Sequence, residues 1–359
     1  MVSLNNFWLG KRVFITGHTG FKGSWLSLWL QTLGAEVCGY SLQPPSNPSL
    51  FELTRAQEGM ISIEGNILDL PYLHKHINQF KPEIIIHMAA QSLVRHSYQF
   101  PIDTLAVNIM GTAHLLEAVR RVDSVRVAVN VTSDKCYENR EWLWGYREND
   151  PMGGHDPYSC SKGCAELVTS SYRRSYFMAE NAVQVATARA GNVIGGGDWA
   201  TDRIIPDCFL AIRQGEPIFL RNPEAVRPWQ HVLEPLAGYL RLAEMLWFNG
   251  QQYAESWNFG PDDSHAWRVQ DVVETLCSLW GKDAKWIAKS DATEHEAHYL
   301  KLDSSKAVQK LGWARKMNMF DTLSMTVEWY KNYYNGADPW LISTKQIQAY
   351  QKLLEENDH

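Results

Sequence analysis

The sequence has no long apolar run and no cluster of basic residues. A helix that crosses a membrane needs at least roughly 18 predominantly apolar residues in succession. The 359 residues include 34 basic and 40 acidic side chains, which gives a formal net charge of −6. Because nucleic acids and anionic membranes attract concentrated positive charge, we expect neither as a partner.

Cysteine is also scarce, with six residues and no Cys-x-x-Cys pair. His295 and His298 are three residues apart, but no Cys, His or Asp set with metal-ligand spacing accompanies them. We therefore expect free thiols in a reducing cytoplasm and no metal site. The hydrophobic content of 45% is sufficient for a large core, and the length fits about two domains.

Short β-branched runs alternate with amphipathic segments over the first half of the chain. Strands are predicted over residues 12–16, 36–40, 61–65, 84–88, 125–132 and 183–189, and helices over 25–33, 105–121, 158–179, 234–248, 269–280, 319–334 and 341–357. Such alternation is typical of a parallel sheet covered on both faces. The prediction is an α/β fold, with a doubly wound, Rossmann-like parallel sheet and a smaller mixed α/β C-terminal substrate domain.

The alternation ends near residue 190, where a Gly-Gly-Gly-Asp loop follows. We expect residues 1–190 to form the sheet domain and residues 191–359 to form mainly the second domain. A segment over about 231–256 is expected to return to the first domain.

A glycine-rich motif, Thr-Gly-His-Thr-Gly-Phe-Lys-Gly, joins the first predicted strand to a helix. In this context Gly17 permits a tight turn, Gly20 lets the backbone approach a pyrophosphate, and Gly23 lets the helix pack closely on the sheet. The phosphates would face the N–H groups at the helix N-terminus. A P-loop is excluded because no Gly-Lys-Ser/Thr has the required spacing, and the alternative is a turn without a ligand. The residues predicted to bind a dinucleotide here are Gly17, Thr19, Gly20, Phe21 and Gly23.

The second predicted strand ends in Tyr-Ser-Leu-Gln, without the acidic residue that usually binds the ribose. That position does not decide between NAD and NADP, although the lack of an arginine favours NAD. Asn66 and Ile67, after the third strand, are predicted to contact the adenine.

Tyr158 and Lys162 lie four residues apart, on one face of a predicted helix. A nearby ammonium is expected to lower the pKa of the phenol from about 10. The phenol could then take a proton from a sugar hydroxyl while hydride moves to a nicotinamide. A Tyr-x-x-x-Lys pattern alone is common, but Ser133, at the end of a predicted strand, could bind the same hydroxyl.

Several motifs together resemble the extended short-chain dehydrogenase/reductase family over roughly residues 8–335. They are the glycine motif, the strand end Ile-Ile-Ile-His-Met-Ala-Ala-Gln, the Ser133, Tyr158 and Lys162 set, and Ala-Gly-Asn-Val-Ile-Gly-Gly-Gly-Asp-Trp. The resemblance implies that this set is catalytic, that the first domain binds NAD and that the second binds a nucleotide sugar. Further NAD contacts implied by the resemblance are Ala89, Ala90, Asn108, Tyr158 and Lys162.

Within this family, nucleotide-sugar 4,6-dehydratases carry Thr-Asp-Glu where this chain has Ser133-Asp134-Lys135. There the Asp protonates the departing C6 hydroxyl and the Glu removes the C5 proton. The surrounding segment resembles the dehydratases that act on CDP-glucose, in which Lys replaces the Glu. Lys135 could be a base only with a lowered pKa, which burial and Lys162 favour and Asp134 opposes. The alternatives are a cation that stabilises the enolate and a surface turn without a catalytic role.

The same resemblance implies substrate contacts at Asn192, Arg203, Arg227 and Tyr299. Arg227 is a candidate for the diphosphate, because a guanidinium matches phosphate geometry. Tyr299 corresponds to a position near the nucleoside. Outside Arg227, each of these residues could instead make a structural polar contact.

The resemblance therefore implies a lyase that converts CDP-D-glucose into CDP-4-dehydro-6-deoxy-D-glucose and water with NAD. It also implies a place in bacterial dideoxysugar and O-antigen lipopolysaccharide synthesis, in the cytoplasm. The alternatives are a nucleotide-sugar 4-epimerase, a dehydratase of another nucleotide sugar, and an inactive dinucleotide-binding regulator. Helices over 105–121 and 158–179 commonly form a dimer face in the family, so a homodimer or homotetramer is expected.

Overall fold

A parallel sheet of seven strands is the centre of the molecule. The structure, a computed structural model, describes residues 4–179, 182–261, 266–281, 284–288 and 300–356. The strands of the sheet are β1 Arg12–Thr16, β2 Glu36–Ser41, β3 Ile61–Glu64, β4 Ile84–His87, β5 Val127–Val131, β6 Gln184–Ala190 and β11 Ser256–Phe259. Their order across the sheet is β11-β6-β5-β4-β1-β2-β3, so the direction of winding reverses between β1 and β4. In open α/β sheets, ligands bind beyond the carboxyl ends of the strands at such a reversal.

Helices cover both faces of the sheet. Within the described residues they are α1 Leu4–Trp8, α2 Phe21–Thr32, α3 Leu50–Leu53, α4 Leu70–Phe80, α5 Val94–Gln99, α6 Pro101–Leu105, α7 Gly111–Arg120, α8 Pro157–Tyr176, α9 Ile204–Gln214, α10 Leu233–Asn249, α11 Val269–Trp280, α12 Met319–Tyr334 and α13 Pro339–Glu355. A single π-helical turn, Ala106–Met110, joins α6 to α7.

The side chains of β4 show how the two cores form. Ile84 and Ile86 belong to the core that includes α2 and α10, whereas Ile85 belongs to the core that includes α4 and α7. All three are completely buried, because successive side chains of a strand point to opposite faces and helices cover both. The predicted doubly wound, Rossmann-like sheet is confirmed.

The start of α8 is determined locally. Asp156 is its N-cap residue and accepts a hydrogen bond from the Ser159 backbone N–H at 2.9 Å. Pro157 occupies the first helical position, where the missing N–H costs nothing. These two residues place Tyr158 in the first turn, at the edge of the sheet where the strands end.

Some predicted boundaries were wrong. Helix α2 begins at Phe21 rather than at residue 25, because it starts directly from the glycine turn. The predicted helix over 105–121 is interrupted by the π turn, α8 ends at Tyr176 rather than 179, and the predicted strand over 125–132 is confined to Val127–Val131.

The C-terminal part contains short two-stranded sheets. The remaining strands are β7 Val193–Ile194, β8 Ile218–Leu220, β9 Val226–Pro228, β10 Gln230–His231, β12 Ala266–Arg268 and β13 Trp286–Ala288, paired as β7 with β10, β9 with β12 and β8 with β13. The chain returns to the large sheet through α10 and β11, which pairs with β6 at the sheet edge. The division of the chain into domains at residue 190 stays a prediction.

Helix α13 packs back against α2, where the ring centroids of Trp29 and Tyr350 are 5.7 Å apart. Among the helices that the structure describes, none combines the length and the apolar character needed to cross a membrane.

Candidate active site

A cavity of about 1620 Å³ opens at the carboxyl ends of the sheet strands. It is bounded by the glycine loop after β1, by the segments that follow β4, β5 and β6, and by the first turn of α8. The predicted site residues that line it are Gly17, Thr19, Gly20, Phe21, Gly23, Asn66, Ile67, Ala89, Ala90, Ser133, Asp134, Lys135, Tyr158, Lys162, Asn192, Arg203 and Arg227. Residues predicted from separate parts of the chain thus face one space.

The glycine loop has little room for side chains. Gly17 has a φ of +77°, and a Cβ there would lie 2.7 Å from the Ala89 nitrogen. A Cβ at Gly23 would lie 2.1 Å from the Gly17 carbonyl oxygen, whereas a Cβ at Gly20 would meet only that oxygen, at 3.4 Å. Gly20 is also the N-cap of α2 and provides no capping side chain. The first N–H groups of α2 are therefore available to an anion in the cavity.

The end of the cavity beside β2 and β3 is polar, and the carboxyl end of β2 carries no acidic side chain. The Thr19 hydroxyl lies 2.8 Å from the Ser41 hydroxyl and donates to the Leu42 carbonyl at 3.0 Å. The Asn66 side chain accepts a hydrogen bond from the Leu68 N–H at 2.9 Å and is exposed, whereas Ile67 is buried. The geometry permits both residues to border an adenine.

Ser133, Tyr158 and Lys162 converge at the middle of the cavity. Burial raises the pKa of Tyr158 to about 12, against a hydrogen bond with Ser133 that lowers it. Burial also lowers the pKa of Lys162 to about 8. The expectation that the Tyr158 pKa is lowered is therefore wrong for the protein alone, because desolvation outweighs the hydrogen bond with Ser133 and the positive charge of Arg203.

The Asp134 carboxyl group is enclosed by protein. It lies in a single 3₁₀ turn, Asp134–Cys136, that follows Ser133, and it is only 2% exposed. The Ser133 hydroxyl donates to Asp134 Oδ1 at 2.9 Å and accepts from the Lys135 N–H at 3.2 Å. Asp134 Oδ2 is buried and has no hydrogen-bond partner among the described residues. Lys135 is half-buried and lines the cavity, so this segment is not a turn on the outer surface.

A buried ion pair that the sequence analysis missed supports α8 behind Lys162. Glu166 lies one turn beyond Lys162 and pairs with Arg189 on β6 at 2.8 Å. The carboxylate also accepts hydrogen bonds from the Thr132 and Thr187 hydroxyls. Both charged side chains are about 3% exposed. The four-residue spacing from Lys162 was the available signal, because it places Glu166 on the same face of the helix.

The predicted substrate residues have different surroundings. Arg203 forms an ion pair with Asp198 at 2.9 Å and donates to the Ser92 hydroxyl at 3.2 Å. Arg227 is 9% exposed and donates to the Val226 carbonyl at 3.0 Å. Asn192 lines the cavity, and Tyr299 lies outside the described residues.

Asn108 is not among the residues that line the cavity, and its contact with NAD stays a prediction. Its side chain accepts from the Gln91 N–H at 2.9 Å and donates to the Gln91 carbonyl at 3.0 Å. It also donates to the Ser161 hydroxyl at 2.8 Å. Because the π turn directs Asn108 between these partners, it holds the segment after β4 against α8.

A lysine without an assigned role also faces the cavity. Lys22 lies inside the glycine motif, and its Nζ atom is 3.4 Å from the Tyr239 hydroxyl on α10. The side chain was not predicted because its direction depends on α10, which is distant in sequence. Within the described ranges, no group of three or more His, Cys, Asp or Glu side chains is arranged to hold a metal ion.

Comparison with known proteins gives a family match and a similar curated protein. Residues 14–326 match the family model described as GDP-mannose 4,6 dehydratase. A CDP-glucose 4,6-dehydratase of Salmonella typhimurium strain LT2 is 54% identical over 349 residues, which are 96% of this chain and 97% of that protein. A probable dTDP-glucose 4,6-dehydratase of Sinorhizobium fredii is 24% identical over 89% of this chain and 92% of its own length.

Two solved structures share the fold. The dTDP-glucose 4,6-dehydratase of Bacillus anthracis in complex with NAD has a TM-score of 0.75 and 21% identity, over 92% of this chain and all of that one. The UDP-glucose 4-epimerase of Thermotoga maritima with UDP-glucose has a TM-score of 0.77 and 21% identity, over 90% and 99% of the two chains. Since the fold is shared by dehydratases and epimerases, it does not distinguish between the two reactions.

Proposed function

The chain belongs to the GDP-mannose 4,6 dehydratase family, and from this premise we propose that it is an NAD-dependent lyase acting on CDP-glucose. The products are CDP-4-dehydro-6-deoxyglucose and water. The curated relative of 54% identity supports the choice of CDP-glucose. We further propose, from the family resemblance alone, a place in the cytoplasmic synthesis of dideoxysugars for O-antigen.

One observation carries the proposal. The acid Asp134 and the amine Lys135 lie in the same cavity as Tyr158 and Lys162, directly after Ser133. A 4-epimerase needs only to oxidise and reduce one carbon, whereas removal of water from C5 and C6 needs an acid and a base beside the oxidising group.

The residues of the glycine loop fit a dinucleotide. The uncapped N-terminus of α2 would hold the pyrophosphate, and a Cβ at Gly20 would project into the space that it needs. We assign NAD rather than NADP because no arginine follows β2. Lys162 would bind the ribose and nicotinamide end. When bound, NAD accepts a hydride from the sugar and later returns it.

Tyr158 takes the proton from the O4 hydroxyl of the glucose unit. Its raised pKa means that the phenol is protonated at neutral pH, so the phenolate needs the positive charge of Lys162 and of the bound cofactor. Ser133 positions the sugar hydroxyl through its own hydroxyl group. The result is a ketone at C4, which makes the C5 proton more acidic.

Asp134 and Lys135 then remove water across C5 and C6. At C5, Lys135 takes the proton or stabilises the enolate that forms when the proton is removed, and protonated Asp134 gives a proton to the C6 hydroxyl, which leaves as water. Asp134 is placed to be the acid because its carboxyl group is buried directly beside Ser133, which donates a hydrogen bond to Oδ1. Its free Oδ2 atom supplies the position from which a proton reaches the sugar.

The substrate end of the cavity carries further polar groups. We assign the diphosphate to Arg227, and contacts to the sugar or phosphates to Asn192 and Arg203. Arg203 would have to exchange its ion pair with Asp198 for a substrate oxygen. Tyr299 retains its proposed place near the nucleoside.

A second copy of the chain is the proposed protein partner. Leu167 on α8 is 60% exposed, and Met110, in the π turn before α7, is 49% exposed. Exposed apolar side chains mark an interaction surface where they form a continuous patch. We propose a homodimer through α8 and the segment over 105–121, with a tetramer formed only through an additional surface.

The test is incubation of the purified protein with NAD and, separately, CDP-, dTDP-, UDP- and GDP-glucose, followed by mass spectrometry. We expect the mass of one water to be lost with CDP-glucose and much less turnover with the others. Water loss with a different nucleotide would contradict the choice of CDP-glucose. A product of unchanged mass but altered retention would indicate epimerisation, and no turnover would indicate a binding protein.

A further inference from the structure

Lys22 brings a third lysine to the middle of the cavity. Its Nζ atom lies 3.4 Å from the Tyr239 hydroxyl and 5.8 Å from the centroid of the Tyr239 ring. Tyr239 is completely buried on α10. The amine is therefore held between α2 and α10, at the same cavity as Asp134 and Tyr158.

The surroundings of Lys22 favour exchange of its proton at neutral pH. Burial, together with the positive charges of Arg203 and Lys162, lowers the pKa of Lys22 to about 7, and the Asp134 carboxylate opposes this shift. Burial raises the pKa of Tyr239 far above its usual range, so its phenol stays neutral. The charges of Asp134 and Tyr158 both act on that phenol, and Lys22, Asp134 and Tyr158 all line the same cavity.

Asp134 needs a source of protons. Ser133 donates to Oδ1, but Oδ2 has no donor among the described residues, and the side chain is only 2% exposed. The backbone at Gly191 closes one side, since a Cβ there would lie 3.1 Å from Oδ2. After Asp134 has given up its proton, a new proton must therefore come from the cavity side, which Lys22 and Tyr158 also line.

The proposed reaction fixes the number of protons that must move. Oxidation at C4 releases one proton from O4, which Tyr158 accepts, and departure of the C6 hydroxyl takes one from Asp134. Hydride leaves C4 and returns to C6, and the C5 proton is removed and replaced. The enzyme regains its starting state only when one proton passes from Tyr158 to Asp134.

We propose, on the basis of the proposed function, that Lys22 is the positioning residue that restores the proton of Asp134 in each turnover. The N–H bond of the ammonium breaks and an O–H bond forms on the carboxylate, which leaves a neutral amine and a neutral acid. The amine then regains the proton that Tyr158 took from O4. Tyr239 directs the amine through its hydrogen bond.

The test compares first and later turnovers with CDP-glucose in Lys22→Met and Lys22→Arg, by rapid quenching and mass spectrometry. In Lys22→Met, the first turnover should proceed near the wild-type rate, because the proposed mechanism uses Lys22 only after Asp134 has given up its proton. Later turnovers slow about 100-fold, the lower end of what a positioned acid or base contributes. The expected result is a burst of one product per site. Lys22→Arg gives the same burst, because a guanidinium keeps its proton at neutral pH.

Tyr239→Phe is expected to slow the later turnovers less than Lys22→Met does. The amine remains in this variant, but it has lost the hydrogen bond that directs it. The exposed Lys75 on α4 provides the control, and Lys75→Met is expected to leave both phases unchanged. Thermal unfolding and the content of bound NAD check that each variant is folded. If Lys22→Met is unstable, Lys22→Arg and Tyr239→Phe test the role of Lys22 in its place.

Equal slowing of the first and later turnovers, or unchanged kinetics, would overturn the role of Lys22 while leaving the dehydratase assignment intact. A wild-type protein that does not remove water from any of the nucleotide sugars would overturn the assignment itself, and the proton cycle with it.

Discussion

Asp134 and Lys135 are adjacent in sequence but have different surroundings and different proposed tasks. Asp134 is buried, whereas Lys135 is half-buried at the cavity wall. The proposed division of labour assigns C6 to Asp134 and C5 to Lys135. Variants of the two residues should therefore stop the reaction at different points.

In Asp134→Asn, we expect water loss to fall by roughly 100- to 10,000-fold, the usual contribution of a positioned acid or base. Exchange of the C5 hydrogen with deuterated water should persist, because oxidation at C4 and Lys135 are unaffected. In Lys135→Ala, both water loss and exchange should disappear. Mass spectrometry of the recovered nucleotide sugar measures both quantities, and identical exchange in the two variants would contradict the division of labour.

Lys162 is expected to reduce stability at neutral pH. Burial lowers its pKa from 10.5 to about 8, so between these values the unfolded chain binds more protons than the folded protein. The free energy of unfolding therefore rises with pH from about 8 to about 10.5. Below pH 8 the full cost of the buried ammonium is present, and it amounts to about 3 kcal/mol at 1.36 kcal/mol per pKa unit.

We expect Lys162→Met to be more stable than the wild type by up to about 3 kcal/mol at pH 7, and the difference to vanish near pH 10.5. Urea unfolding at the two pH values measures this, with Lys75→Met as the exposed control. A variant that is less stable than the wild type at both pH values would show that the buried ammonium does not carry this cost.

At the scale of elements, the glycine turn and α2 act as one unit. Gly20 and Gly23 belong to the same motif but differ in the space around them. A Cβ at Gly23 would lie 2.1 Å from the Gly17 carbonyl oxygen, whereas a Cβ at Gly20 would lie 3.4 Å from it. The first contact is impossible without movement of backbone. The second is an ordinary van der Waals contact, so the added methyl group would occupy only the cavity.

Gly20→Ala should therefore unfold at nearly the same temperature as the wild type, but it should bind NAD much more weakly. Gly23→Ala should lose both stability and NAD binding, with a destabilisation of about 1–3 kcal/mol for an overpacked site. Calorimetric titration with NAD and thermal unfolding separate the two effects. Equal loss of stability in both variants would show that the two positions are not distinguished by space.

The elements that the sequence predicted well are those with local causes. The strands β1 and β4 follow from β-branched runs, and the start of α8 follows from Asp156 and Pro157. The predicted start of α2 lies too far along the chain, at residue 25 rather than at Phe21. The residues after Gly20 have no strong periodic pattern, and the glycine turn determines where the helix begins. The π turn could not be predicted, since it depends on contacts of Asn108 with Gln91 and Ser161.

At the scale of the whole molecule, the site is assembled from parts of the chain that are distant in sequence. The motifs predicted the glycine loop, the segment after β5 and the first turn of α8, because each has its own sequence signal. The buried partners Glu166 with Arg189 and Lys22 with Tyr239 join α8 to β6 and α2 to α10. Their pairing, and the raised pKa of Tyr158, follow from burial by the complete fold, which no single segment specifies.

The exposed face of α8 connects the site to the proposed dimer. Tyr158 and Lys162 are on the buried side of this helix, and Leu167 is on its exposed side. In a symmetric interface each residue is buried twice, so Leu167→Arg should remove roughly 3–6 kcal/mol of apolar contact. This corresponds to a more than 100-fold weaker association.

We expect Leu167→Arg to halve the mass measured by light scattering and to lower activity, because α8 loses its external support. Leu210, 54% exposed on α9, provides the matched control, and Leu210→Arg should leave the mass unchanged. If Leu167→Arg retained the wild-type mass, or the wild type were already a monomer, α8 would not be the interface. If instead the mass fell by half from a tetramer to a dimer, α8 would form only one of two interfaces, and the dimer that remains would have to use another surface.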